Sequence, residues 1–379
     1  MSWTIDTDFP GANACGGSLD LHRGAVALSI AADPRQGPEA LWFHVRLRRT
    51  CSAAEGDAAP WLIVRHVDTL LGGGDGSGLR PVARCDGGEW QRLAPGEPLR
   101  HGDGRCDVAW RLPDAAVVVE VAFCLSYAEA ELSALLSATR GRLHFAPIGS
   151  SEHGRPLLRV ANRAGEVGGA RPGIYLLARQ HAGETPGSWV LDGLLRRIAD
   201  LGDTAPLVWA IPFVDTDGVM QGDYGKDRHA VDYNRSWWRM GRRHEVACIQ
   251  GDIARWRQRC VPRLCLDLHA PGASEADGCY GYVSLSGATP TPAAEAWCAR
   301  LGTVIGAPYA SGDFTRRGSY PSRWPSETHP SFTAWAAANG LPALSLEIPY
   351  QGTGGATWSM AEYREIGRRI ADALCAPEQ

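Results

Sequence analysis

The sequence lacks several features by which whole classes of protein are recognised. Acidic and basic residues nearly balance, with 42 Asp and Glu against 38 Lys and Arg, and the formal net charge is −4. This balance excludes a generally basic surface of the kind that binds nucleic acid. No run approaches the roughly 18–20 apolar residues of a membrane span, and the chain does not begin like a secretory signal. We therefore expect a cytoplasmic protein that binds neither nucleic acid nor membrane.

Cysteine is present, but not in patterns that imply disulfides or redox chemistry. The eleven cysteines are an odd number and include no C-x-x-C pair. A chain of 379 residues can bury a large core without disulfide bonds, so we predict reduced, mostly buried thiols. Lysine is rarer still, because Lys226 is the only one in the chain.

Familiar catalytic motifs are missing as well. There is no H-E-x-x-H, no G-x-S-x-G and no Walker loop. The glycine-rich run at residues 72–78 is followed by no helical pattern, and we interpret it as a flexible loop rather than a phosphate-binding one.

Residues 1 to about 125 have the pattern of a β-rich domain. Short apolar or alternating segments, rich in valine and aromatic residues, are separated by polar and glycine-rich turns. We predict an antiparallel β-sandwich domain at residues 1–126. The predicted strands are residues 25–30, 41–47, 61–67 and 117–125.

The pattern changes near residue 127, where apolar strands begin to alternate with helical segments. This alternation predicts an α/β domain with a parallel or mixed sheet at residues 127–379. The predicted strands are residues 173–178, 207–213, 263–268 and 343–348. The predicted helices are residues 128–139, 188–201, 245–259, 292–301 and 359–374.

Candidate metal ligands follow two of these strands. His181 and Glu184 lie three residues apart just after the first strand, with Gly183 between them to permit a tight turn. His269 ends another strand. Two imidazoles and one carboxylate form the ligand set of catalytic zinc sites that keep one position open. Each signal is weak alone, since His-x-x-Glu occurs by chance and a strand-end histidine is often merely hydrogen-bonded.

Two further positions carry groups suited to catalysis or binding. Glu347 lies at the end of an apolar strand, where a carboxylate is costly unless it has a partner or a function. It fits a general base or, alternatively, one half of a buried salt bridge. Asn234 and Arg235 are adjacent and fit a clamp for a carboxylate, or a surface arginine beside packed tryptophans.

Five segments in order carry a resemblance to a known family. They are residues 148–157, 181–185, 232–235, 269 and 346–347. The series resembles the M14 zinc carboxypeptidases, most closely the cytosolic carboxypeptidase-like branch. Residues 17–19, 41–46 and 89–90 resemble the N-terminal β-sandwich of that branch, and residues 123–127 its join to the catalytic domain. The resemblance implies an α/β/α zinc carboxypeptidase domain with a mixed sheet, preceded by an antiparallel β-sandwich.

The resemblance also implies roles for the zinc site. His181, Glu184 and His269 would hold zinc, and Glu347 would be the general base. Asp232 would accept a hydrogen bond from His181 and fix its tautomer. The implied activity is a zinc metallocarboxypeptidase that hydrolyses C-terminal amino acids from peptides or proteins.

For the substrate, the resemblance implies that Asn234 and Arg235 bind the free α-carboxylate of a peptide or protein C-terminus. The family's oxyanion-stabilising arginine would fall at Gly225, which is a departure. We hypothesise that Lys226 takes this role, because a chain that otherwise uses arginine keeps a lysine here; a chance surface lysine is equally consistent. Arg228 is the rival donor.

Specificity and function keep open alternatives. Tyr320 is a candidate for a phenol that covers the substrate. The arginines of residues 315–323 fit selection of an acidic C-terminal side chain, or a solvated basic loop. The alternative functions are a zinc amidohydrolase of the desuccinylase or aspartoacylase type, acting on N-acyl amino acids, and a catalytically silent binding protein.

Overall fold

The chain divides into two compact units. The computed structural model describes residues 3–35, 37, 39–50, 58–113, 117–226, 231–238, 243–284, 292–318 and 328–376. The first unit consists of Met1–Ser126, Gly218–His229 and Gly272–Ser274, and the second of Tyr127–Asp217, Ala230–Pro271 and Glu275–Gln379. The main segment of the first unit therefore ends where the sequence places its domain boundary, and two short segments of the predicted second domain belong to the first unit.

The first unit is built from two five-stranded sheets. One has the strand order β1-β4-β10-β6-β7 and is antiparallel throughout; the other has the order β2-β3-β5-β9-β8 and contains one parallel pair, β3 with β5. The predicted antiparallel β-rich region is confirmed apart from that pair. The strands are β1 Trp3–Asp6, β2 Cys15–His22, β3 Ala25–Ala31, β4 His44–Arg49, β5 Trp61–Arg65, β6 Val82–Cys85, β7 Gln91–Arg92, β8 Glu97–Arg100, β9 Cys106–Arg111 and β10 Val118–Ala122.

The second unit contains an eight-stranded mixed sheet in the order β11-β12-β14-β13-β15-β18-β16-β17. Its four central strands, β14, β13, β15 and β18, are parallel, while β12 and β16 join them antiparallel. A two-stranded ribbon, β19 with β20, follows β18. The strands are β11 His144–Ser150, β12 Pro156–Ala161, β13 Pro172–Ala178, β14 Leu207–Ile211, β15 Val261–His269, β16 Cys279–Ser284, β17 Ala310–Gly318, β18 Ala343–Glu347, β19 Gly352–Thr353 and β20 Ala356–Thr357.

Helices cover both faces of this sheet. The α-helices are α1 Glu129–Thr139, α2 Thr185–Leu201, α3 Thr216–Gln221, α4 His244–Trp256, α5 Pro292–Ile305, α6 Phe332–Ala338 and α7 Met360–Cys375, with 3₁₀ turns at Gly202–Thr204 and Tyr233–Arg235. On one face α2 packs on β13 and β15 and against α7, which also packs against α5. On the other face α4 and α6 share a core with alternate side chains of β13, β14, β15 and β18. The predicted α/β/α architecture with a mixed sheet is confirmed.

The contact between α2 and α7 depends on two glycines. A Cβ atom on Gly193 would collide with the backbone of Arg364, and one on Gly367 would collide with the carbonyl oxygen of Val190. The two helices therefore approach with backbone against backbone, and this close contact holds α2 firmly behind the loop that precedes it.

The central strands bring distant residues to one edge. Ala178 at the end of β13 pairs with Leu268 in β15, and His269 at the end of β15 pairs with Glu347 at the end of β18. Because these strands are parallel, their carboxyl ends share one edge of the sheet, where loops carry functional groups.

The cysteines and the helices show two further properties of the fold. The ten cysteines that the structure describes are all free thiols. Within the described ranges, no helix is both long enough and apolar enough to cross a membrane.

Candidate metal centre

The loop between β13 and α2 is shaped by a buried arginine. Arg179 adopts a left-handed backbone conformation with φ of 60°, so the turn bends at this residue and not at Gly183. Its guanidinium donates to the carbonyl oxygens of Ala182 and Tyr127 and to Ser188 Oγ. Burial lowers the pKa of Arg179 to about 10, although nearby acidic groups oppose the shift. The buried guanidinium of Arg179 therefore stabilises the conformation of this loop through its hydrogen bonds.

This loop and the end of β15 bring together three potential ligands, His181, Glu184 and His269. Nδ1 of His181 lies 2.8 Å from Glu184 Oε1, and Nδ1 of His269 lies 2.8 Å from Glu184 Oε2. One ligand atom from each residue lies within 4.8 Å of the other two, and no other such group is found among the described residues. All three are buried. The structure thus brings the predicted ligands together around one point.

The outward nitrogen of each histidine faces a second carboxylate. Nε2 of His181 lies 3.1 Å from Asp232 Oδ1, as the sequence predicts for that pair, and Nε2 of His269 lies 2.8 Å from Asp267 Oδ2. Such carboxylates orient metal-binding imidazoles and leave the inward nitrogen free to bind the ion.

The electrostatics of the cluster favour positive charge at its centre. Burial alone would lower the pKa of both histidines, but Glu184 and Asp232 raise that of His181 to about 9, and Asp267 and Glu184 raise that of His269 well above its usual value. Burial would raise the pKa of Glu184, yet the two imidazoles hold it well below its usual range. Buried carboxylates around two imidazoles suit a divalent cation.

Glu347 lies beside this cluster through the backbone. Glu347 is opposite His269 in the β15–β18 register. The N–H of the next residue, Ile348, donates to the carbonyl oxygen of His269 at 2.9 Å. Glu347 is 5% exposed. The parallel pairing therefore fixes Glu347 next to a potential ligand.

Asn234 and Arg235 lie in the short 3₁₀ turn Tyr233–Arg235, which Asp232 caps. The backbone N–H of Asn234 donates to Asp232 Oδ1 at 2.6 Å, so one carboxylate oxygen serves both this turn and His181. Asn234 Oδ1 accepts the N–H of Phe332 at 2.9 Å, and its Nδ2 lies 3.2 Å from His269 Nε2. The half-buried Arg235 donates to the carbonyl oxygen of Asn234 at 2.7 Å. Asn234 and Arg235, the two residues predicted to bind substrate, are thus held in place close to the potential metal ligands.

Lys226 belongs to the first unit. Its Nζ lies 4.0 Å from Glu39 Oε2 and 5.3 Å from the centre of the Tyr224 ring. The role suggested for it stays a prediction. Arg228 and Tyr320 lie outside the described residues.

Part of the arginine-rich stretch is an edge strand and not a loop, because residues 315–318 belong to β17. Arg316 stacks on Tyr280, 3.6 Å from the ring centre, and pairs with Glu275 at 3.5 Å and Asp277 at 3.4 Å. Arg317 pairs with Glu295 of α5 at 3.1 Å. Acidic partners therefore already accompany both arginines.

Sequence reasoning missed three residues around the cluster. Asp267 precedes His269 by two positions on one strand, so the two-residue period could have placed both side chains on the same face. Gln180 donates to Asp267 Oδ2 at 2.6 Å, and nothing in the sequence signals this contact. Tyr282 is the third: burial raises the pKa of its phenol, the Glu347 charge raises it further and Arg235 opposes this, so the phenol lies within the field of both groups.

Solved structures share this architecture over almost the whole chain. A metallo-carboxypeptidase from Burkholderia cenocepacia superimposes with a TM-score of 0.77 and 18% identity, covering 99% of this chain and 98% of that one. The chain has the metallo-carboxypeptidase fold. A metallo-carboxypeptidase from Pseudomonas aeruginosa, in complex with (2-guanidinoethylmercapto)succinic acid, gives a TM-score of 0.75 at 20% identity, with 98% of each chain covered. At these identities the likeness establishes the fold.

Sequence comparison adds a local match to the carboxypeptidase-like branch named above. A segment of 73 residues is 36% identical to cytosolic carboxypeptidase 1 of Mus musculus and 34% identical to its Homo sapiens counterpart. The match covers 18% of this chain and 6% of each of those proteins. No family model matches the chain. The resemblance inferred from the motifs is confirmed by the fold neighbours and by this segment together.

Proposed function

We propose that this protein is a zinc-dependent carboxypeptidase that releases the C-terminal residue of peptides or proteins in the cytoplasm. The observation that carries the proposal is the buried cluster of His181, Glu184 and His269, with Glu347 paired beside it at the same edge of the sheet. The fold of the second unit and the local likeness to cytosolic carboxypeptidase 1 support it.

The donor set fits zinc. Two imidazole nitrogens and one carboxylate are ligands that zinc prefers, and three protein ligands leave a position open for chemistry. The buried carboxylates Asp232 and Asp267 behind the histidines complete the arrangement. Zinc, when bound, supplies Lewis acidity for the scissile carbonyl and lowers the pKa of the attacking water.

Glu347 would carry the protons of the reaction. As a general base it accepts a proton from the attacking water, whose oxygen adds to the peptide carbonyl carbon. It then gives that proton to the amide nitrogen as the C–N bond breaks, so the products are a free amino acid and a shortened peptide.

Arg235 would hold the substrate in register by binding its terminal carboxylate, with Asn234 beside it. A guanidinium matches a carboxylate in geometry and charge, and only a chain end presents that group. Lys226 is our proposed oxyanion donor and Tyr320 our proposed substrate-covering phenol. Turnover lost in Lys226→Ala but kept in Arg228→Ala would support the first role, and the reverse pattern would assign it to Arg228.

The experiment is hydrolysis of a peptide panel whose members differ only at the C-terminal residue. Zinc-loaded protein should release a single amino acid from at least one peptide, and Glu347→Gln should lower the rate by about 10²–10⁴-fold, the usual contribution of general base catalysis. The most rapidly cleaved peptide names the preferred residue, and preference for glutamate would implicate the arginines of β17.

The zinc content of the wild-type protein and of Glu347→Gln is measured in the same experiment, so that loss of the general base can be distinguished from loss of the metal. If zinc is bound but no peptide of the panel is hydrolysed, the proposal is contradicted. Hydrolysis of N-acyl amino acids in that case would favour the amidohydrolase alternative.

A further inference from the structure

A chain of hydrogen bonds runs through four buried side chains behind the metal cluster. The indole N–H of Trp237 donates to Gln180 Oε1 at 2.7 Å, and Gln180 Nε2 donates to Asp267 Oδ2 at 2.6 Å. The same carboxylate oxygen lies 2.8 Å from Nε2 of His269. Trp237, Gln180 and Asp267 are fully buried and His269 is 3% exposed, so water does not compete for these bonds.

The directions of the first two bonds in the chain follow from Trp237. An indole N–H can only donate, so Gln180 must turn its carbonyl oxygen to Trp237 and its amide nitrogen to Asp267. Asp267 therefore presents one carboxylate oxygen both to the Gln180 amide and to Nε2 of His269. With Nε2 held on the side of Asp267, Nδ1 of His269 lies on the side of Glu184, where it would bind the metal.

The other histidine is fixed from the same segment. Nε2 of His181 reaches Asp232 Oδ1 directly, and Asp232 and Trp237 are five residues apart, on either side of the Tyr233–Arg235 turn. Residues 232–237 thus contact His181 through Asp232, and they reach His269 both through Asn234 and, by way of Gln180 and Asp267, from Trp237. Trp237 is itself immobilised between Phe332 and Trp335, with ring centres 4.7 and 5.3 Å away.

We propose that Gln180 is a positioning residue for the metal site, which transmits the fixed orientation of Trp237 to Asp267 and so holds His269 with Nδ1 toward the metal. This inference rests on the metal site proposed above and assigns it a second layer that the sequence motifs do not contain. Without Gln180, Asp267 loses one of the two hydrogen-bond partners that its side chain has within the described ranges, and its orientation toward His269 is no longer fixed.

The test measures zinc affinity by competition with a chromophoric chelator, independently of activity. Carboxylates and other partners behind metal ligands typically contribute 10–100-fold in affinity. We expect Asp267→Asn to weaken zinc binding by about 10–100-fold and Gln180→Leu by about 10-fold. Gln180→Met, which keeps the length of the side chain, provides a second variant should the leucine variant not fold.

The double variant Gln180→Leu/Asp267→Asn separates a positioning role from a merely structural one. If Gln180 acts through Asp267, the double variant should bind zinc no more weakly than Asp267→Asn alone. If the two residues act independently, the two losses multiply, and this outcome would overturn the proposal.

Tyr175→Phe is the matched control. It removes a buried hydrogen bond, from the Tyr175 hydroxyl to Asp252 Oδ2 at 3.0 Å, in the same unit but away from the histidines. It should lower the melting temperature of the metal-free protein while leaving zinc affinity unchanged. Wild-type zinc affinity in folded variants at Gln180 and Asp267 would refute the inference, whereas a wild-type protein that binds no zinc would refute the proposed metal site and the inference with it.

Discussion

The charge of Glu120 should contribute measurably to the stability of the first unit. Glu120 lies in the middle of β10, opposite Arg46 of β4 on one side and Arg84 of β6 on the other. Its carboxylate accepts N–H donors from Arg84 at 2.8 Å and from Arg46 at 3.3 Å, and lies 3.5 Å from His44 Nε2. Only 8% of Glu120 is exposed, so these interactions are weakly screened.

The magnitude follows from the pKa of this carboxyl group. Burial alone would raise the pKa, but the nearby His44 imidazole and the hydrogen-bonded, charged guanidinium of Arg84 lower it from 4.5 to about 2. A shift of this size corresponds to about 3 kcal/mol of stabilisation by the charged form. Because the folded-state pKa lies below the unfolded one, this stabilisation is present above about pH 4.5 and is lost as the pH falls toward 2.

Glu120→Gln removes the charge and keeps the shape. Urea unfolding at pH 7 should show the free energy of unfolding of the first unit lowered by about 2–3 kcal/mol, and at about pH 3 the difference from wild type should shrink to less than half. Glu89→Gln, at an exposed position of the same unit, should stay within about 0.5 kcal/mol of wild type. Equal stability of Glu120→Gln and wild type at pH 7, or a difference that does not shrink in acid, would refute this reasoning.

Three further predictions concern packing, substrate binding and redox state. Gly367→Ala should lower the free energy of unfolding by about 1–3 kcal/mol in thermal denaturation, because the added Cβ would collide with the Val190 carbonyl. The control is Gly251→Ala in α4, where no atom lies within 4 Å of the added Cβ, and it should stabilise the protein by up to about 1 kcal/mol. Equal effects of the two substitutions would contradict the packing of α2 against α7. Arg235→Ala should raise KM by about 10–100-fold with little change in kcat, since a charged hydrogen bond to substrate is lost in ground and transition states alike; a fall in kcat alone would argue against carboxylate binding. Thiol titration of the denatured protein without reductant should find all eleven cysteines, and a count lower by two or more would indicate disulfides and argue against the cytoplasm.

The fold was predictable where hydrophobic periodicity was strong. The helix predicted at 188–201 appears as α2 Thr185–Leu201, and the strand at 263–268 as β15 Val261–His269. The strand β2 escaped prediction because nearly all its residues are exposed and two of them are glycines, so it shows no alternation of buried and exposed side chains. Strand β16 was missed because its sequence, which contains one cysteine and one glycine, gives no clear period.

The candidate site divides in the same way. The potential ligands could be found because each lies at the end of a buried strand or within a few residues after it, a position that sequence patterns reveal. Gln180 could not, since its partner Asp267 is 87 residues away and only the pairing of β13 with β15 brings them together. The bend at Arg179 was also unpredictable, because positive φ is uncommon in residues other than glycine and nothing in the sequence signals it at this position.

The most direct test of the account uses two peptides of identical sequence, one ending in a free carboxylate and the other in a carboxamide. Zinc-loaded protein is incubated with each, and products are identified by mass spectrometry with Glu347→Gln as the control. The account predicts loss of one residue from the free acid alone, dependent on Glu347. Equal cleavage of the amide, cleavage at internal bonds, or activity that survives in Glu347→Gln would contradict it.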